Sequence, residues 1–77
     1  MDIQQLFYKL KEINGRLFDL LIKKYCDKLS ASDKKEIAVI KTNIATIESS
    51  ISNEIPIIID TIQLSQKYIK ELTNEEK

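Results

Sequence analysis

A chain of 77 residues with 12 basic and 12 acidic side chains, one cysteine and no histidine has room for one small domain and lacks the usual means of stapling it. A single core of this size supplies only roughly 3 to 5 kcal/mol. Cys26 has no second cysteine with which to close an internal disulfide, and without histidine there is no zinc-type ligand set, so association with another chain is the remaining route to extra stability.

The opening stretch MDIQQLFYKL starts with an acid and never reaches a long apolar run behind a basic segment, so no export signal is read there. The longest apolar string around the proline, Ile55 to Ile59, covers only about a quarter of the roughly 20 residues that a bilayer span requires. The expectation is a cytoplasmic protein with no membrane contact, in which Cys26 is a free thiol in a reducing compartment.

One glycine, one proline and a high, dispersed charge content favour an all-α fold. The first element is indicated by Ile3, Leu6, Leu10, Ile13, Leu17 and Leu20, which recur every three or four residues and continue through Leu21, Tyr25 and Leu29. This predicts helix 1 over about 2–29, with Gly15 in its middle at a cost of about 1 kcal/mol relative to alanine. The stretch SASD then punctuates the chain, with a turn at residues 30–32. Ser30, Ser32 or Asp33 can cap the second helix, and Asp33 with Glu36 has the spacing of a capping box.

From Asp33 a second stripe runs through Ile37, Ile40, Ile44, Ile47, Ile51, Ile55, Ile58, Ile62, Ser65, Ile69 and Leu72. Its steps are three or four residues throughout, with one doubled four at Ile51 to Ile55, the signature of a stutter in a coiled-coil seam. The stripe passes through Pro56 with that single adjustment. This favours an antiparallel helical hairpin whose second helix runs over about 33–74 and kinks near Pro56. The alternative is a three-helix bundle with a break near residues 52–56, supported by the polar SSISN, by the extended bias of Ile55 before proline, and by Asn53 as a fresh cap.

A continuous second helix would be about 63 Å long against about 42 Å for the first, at 1.5 Å per residue. Its end would then overhang, exposing Ile57, Ile62, Leu64, Tyr68, Ile69 and Leu72 as a candidate partner-binding surface. Within that segment Ile57, Leu64 and Tyr68 form a second stripe beside the main one, and a helix apolar on two sides has two neighbours.

Catalytic parts are missing. The chain has no histidine, an unactivated cysteine and no glycine-rich phosphate loop, while Glu54 and Asp60 read as solvent-facing acids. No catalytic, cofactor-binding or metal-binding residue is assigned, and no small-molecule ligand is expected. Lys23, Lys24, Lys28, Lys34, Lys35 and Lys41 gather near the turn, but acids interleave with them and Arg16 is the only arginine, a poor set for reading bases. Nucleic-acid accessory work is the weakest reading, and the tail NEEK reads as solubilising. The leading expectation is a non-enzymatic protein–protein interaction module that self-associates or serves as a small assembly or adaptor subunit through its isoleucine stripe. The alternative is a small regulator or chaperone-like protein that masks a helix of a different protein.

Overall fold

The computed structural model describes residues 2–50 and 55–73. It consists of α1 (Ile3–Tyr25), α2 (Ala31–Ser50) and α3 (Pro56–Thr73), with no strand among the described residues. The all-α expectation holds, and both ends of α1 and the starts of α2 and α3 have local causes.

At the start of α1 the Asp2 side chain accepts from the Gln4 backbone N–H at 3.2 Å, and the Asp2 carbonyl takes the first intrahelical bond from Leu6. This is ordinary N-capping by a short acid. The helix stops at Tyr25, about one turn before the predicted end, because Asp27 adopts a left-handed backbone conformation (φ 61°). The Lys28 N–H then reaches back to the Lys23 carbonyl at 2.8 Å and the Asp27 N–H to the Lys24 carbonyl at 3.0 Å, which is the Schellman pattern. Glycine usually fills that left-handed position because a Cβ there is strained. Relief of the left-handed strain, about 1 to 2 kcal/mol, less the extra unfolded-state freedom of glycine, makes Asp27→Gly expected to stabilise the fold by about 0.5 to 1 kcal/mol, read as a rise of roughly 2 to 8 °C in thermal midpoint.

The cap of α2 lies one turn earlier than the Asp33–Glu36 spacing indicated. Ser30 Oγ accepts from the Asp33 N–H at 3.0 Å while the Asp33 carboxylate accepts from the Ser30 N–H at 3.1 Å. This reciprocal pair satisfies two otherwise orphaned donors. Ser32, the other candidate cap, falls inside the first turn and is exposed.

Pro56 opens α3. The Ile55 carbonyl accepts from the N–H groups of Ile58 and Ile59, each at 3.1 Å, so proline occupies the first helical position, where its missing N–H costs nothing. The continuous second helix kinked near Pro56 is therefore not the arrangement adopted; the three-helix alternative is. Proline inside a helix costs about 3 kcal/mol, and folding back buries Ile58, Ile62, Ile69 and Leu72 within the same chain. Each such side chain contributes about 1.5 to 3 kcal/mol without the entropic cost of recruiting a second molecule. The predicted cap Asn53, the stutter at Ile51 and the tail NEEK lie outside the described residues.

Cross-helix contacts fix the topology as up-down-up. Asn14 meets Thr61 and Ser65, Phe18 meets Tyr68 and Tyr25 meets Glu71, so the numbers rise together and α1 runs parallel to α3. Arg16 meets Glu36 and Lys23 meets Asp33, so α2 runs antiparallel between them in sequence. The core is Leu6, Leu10, Leu17, Leu20 and Leu21 of α1, Ile37, Ile40 and Ile44 of α2, and the four buried apolar residues of α3. Backbone approach is closest between α1 and α3 and least between α1 and α2. Long charged side chains span the wider α1–α2 seam.

Candidate protein–protein interface

That charged seam centres on Arg16. Its guanidinium holds Glu36 bidentately, Nε to Oε2 at 2.6 Å and the second nitrogen to Oε1 at 2.7 Å, and lies 3.6 Å from Asp33. Lys23 Nζ approaches Asp33 at 3.3 Å. Arg16 depresses the Glu36 carboxyl through this hydrogen-bonded pair, and Asp33 is depressed first by the Ser30 N–H and then by Lys23. The Arg16 guanidinium is raised in turn, chiefly by its bond to Glu36.

Two carboxyls with folded pKa values below their unfolded ones stabilise the fold fully above the ordinary carboxylate range, near pH 4, and lose that contribution as pH falls through the depressed values. The thermal midpoint is accordingly expected to drop between pH 5 and pH 2 (about those limits), and Asp33→Asn with Glu36→Gln to flatten that part of the profile. Within the seam Arg16 and Lys23 of α1 are matched by Glu36 and Asp33 of α2. Among the described residues no group of His, Cys, Asp or Glu side chains is placed to hold a metal ion, and no helix is long and apolar enough to cross a membrane.

A second polar feature lies inside the bundle. Asn14 and Ser65 are buried and bonded to each other, Asn14 Nδ2 donates to the Thr61 carbonyl at 3.4 Å, and Ser65 Oγ also reaches that carbonyl at 3.1 Å. No buried side-chain nitrogen or oxygen among the described residues lacks a partner. A satisfied polar pair between two parallel helices favours one axial register over its neighbours, as buried asparagines do in coiled coils. Ser65 stood in the predicted stripe; Asn14 did not. Its signal was the run Leu10, Asn14, Leu17, Leu21 at helical spacing, with asparagine in an apolar position.

The sequence-predicted partner surface divides in two. Ile62, Ile69 and Leu72 belong to the chain's own core, where the fold-back of α3 places them. Ile57 is 54% exposed, Leu64 is 40% exposed and Tyr68 is half-buried, so the second stripe reaches the surface. Beside it on α1 lie Phe18 and Ile22, 52% and 49% exposed, and Tyr25 at 75%. Phe18 and Tyr68 have ring centroids 6.3 Å apart, and the Tyr25 hydroxyl donates to Glu71 at 3.5 Å, so the stripes of the two parallel helices adjoin.

Together these residues form an apolar face on the outer side of the α1–α3 pair. Tyr25, predicted as a continuation of the core stripe, is 75% exposed, and Ile3, predicted at its start, is 43% exposed. Sequence reading missed the α1 half of the face. Its signal, Phe18, Ile22 and Tyr25 at steps of four and three, was masked by the stronger leucine stripe next to it. Asp60 is exposed, and Glu54 lies outside the described residues. Cys26 is an exposed free thiol. Comparison with protein-family models, with curated proteins and with solved structures returned no match.

Proposed function

We propose that this protein is a non-enzymatic helical interaction module that self-associates through the outer face of the α1–α3 pair. The observation carrying this reading is the concentration of Phe18, Ile22, Tyr25, Ile57 and Leu64, all exposed, on one side of two adjoining helices. Single exposed apolar residues are normal on any protein, but a joined set covering two helices marks an interaction surface. A net charge of zero leaves little long-range repulsion between copies.

From Phe18 to Tyr25 and from Ile57 to Tyr68 the face is only two to three helical turns long, which puts the interface at the small end of the specific range, below about 1,200 Å² in total. Interfaces of that size belong to the weak, transient class, and a dissociation constant of order 10 to 100 µM is expected. Sedimentation equilibrium across about 5 µM to 1 mM tests this. A mass rising from one copy toward two supports the reading; a mass of one copy throughout removes it.

A further inference from the structure

The geometry points to a twofold, antiparallel dimer in which α1 crosses α1 of a second copy at Gly15, an arrangement that rests on the self-association proposed above. The exposed side of α1 is self-complementary about Gly15. Lys11 and Asp19 stand four residues either side of it, and Tyr8 and Ile22 seven residues either side; all five residues are exposed. On a helix of about 3.6 residues per turn these positions lie within about 40° of Gly15, on one stripe. Reversing the direction of this stripe over a second copy sets Lys11 over Asp19 and Tyr8 over Ile22, and the symmetry makes each contact twice. A parallel pairing would set like charge over like.

The same axis serves α3. Asp60 and Lys67, both exposed, are equidistant from the point between Gln63 and Leu64, so an axis there sets Asp60 of one copy against Lys67 of the other. These two centres lie at one height in the bundle, because Asn14, next to Gly15, bonds both Thr61 and Ser65, which bracket residue 63. A single axis therefore passes by Gly15 on α1, about one turn before Phe18, and by Leu64 on α3, within the apolar stripe of that helix. Charge complementarity of this kind selects the occupant: Lys11 with Asp19 and Asp60 with Lys67 each match their own reverse.

Gly15 gives an independent reason. It has no left-handed backbone conformation, and a Cβ added there would meet nothing within 4 Å, so neither the backbone nor the packing of the chain requires glycine at this point. Its lack of a side chain in mid-helix weakens α1, while opening the place where a second backbone can approach most closely.

Three variants test the arrangement by sedimentation equilibrium at low salt, with helicity and thermal unfolding followed in parallel. Gly15→Gln is expected to keep or raise the thermal midpoint while weakening dimerisation at least about tenfold, because the side chain stands on the axis in both copies. Lys11→Glu and Asp19→Lys are each expected to weaken self-association about tenfold. An equimolar mixture of these two should regain a two-copy mass near the wild-type affinity, since each copy then meets its opposite charge on both sides of the axis. Failure of the mixture to recover, or wild-type dimerisation in all three variants, overturns the antiparallel arrangement while leaving self-association through this face standing. A wild type that stays at one copy at every concentration overturns both.

Discussion

Changing Ile62 and Ile69 together to asparagine is expected to unfold the protein. Both side chains are nearly inaccessible, at 4% and 5% exposure, and both belong to the cluster that joins α3 to α1 and α2. Removing a large buried aliphatic costs about 2 to 5 kcal/mol, and asparagine adds a buried amide with no partner. The sum exceeds the roughly 3 to 5 kcal/mol that a core of this size provides. Circular dichroism at 222 nm should show the loss of most helical signal at 25 °C. A double variant that keeps its helicity and changes only its mass would instead mean that α3 is held by another chain, as a continuous kinked helix would require.

Substituting the outer face, at one position on α1 and one on α3, should have the opposite outcome. Ile22→Gln with Leu64→Gln is expected to leave helicity and thermal midpoint nearly unchanged, because both side chains are already about half exposed and glutamine is a good helix former. Self-association should fall by two to three orders of magnitude (about 3 to 4 kcal/mol), since four half-buried apolar side chains are lost per dimer at about 1 kcal/mol each. Sedimentation equilibrium reads the change directly. Equal dimerisation by the variant and the wild type would place the contact elsewhere on the surface. The pair of double variants thus separates the core side of α3 from the outer face of α1 and α3 that is proposed to meet a second copy.

Much of this division was legible in the sequence. The stripes of isoleucine and leucine identify the helices and most of the core, and the offset of Ile57, Leu64 and Tyr68 from the main stripe identifies the outward side of α3. The break at Pro56 was harder to read for a specific reason. Two separate helices, each with a stripe at three-four spacing, can join with their stripes in phase by the accident of linker length, so phase alone does not distinguish a bend from a turn. The deciding quantity is the cost of an interior proline against the gain from burying α3 on its own chain. That comparison needs the three-dimensional partners.

The turn shows a related limit. SASD marks a helix start, but three residues in it can cap, and the choice of Ser30 over Ser32 or Asp33 is set by where α1 ends, which in turn depends on Asp27 taking a left-handed conformation normally left to glycine. The α1 half of the apolar face was hidden for another reason. Phe18, Ile22 and Tyr25 count as core or surface according to which side of α1 receives α3, and that side is fixed by Asn14 pairing with Ser65, a long-range contact that local periodicity does not encode.

The most direct test of the account is a concentration series of amide spectra on the uniformly ¹⁵N-labelled wild type. Fast, concentration-dependent shifts are predicted for Gly15, Phe18, Ile22, Leu64 and Tyr68, with none for Val39 and its neighbours on the outward side of α2. Spectra independent of concentration, or shifts that gather around Val39 instead, would contradict a bundle that is complete in one chain and meets its second copy across the outer face of α1 and α3.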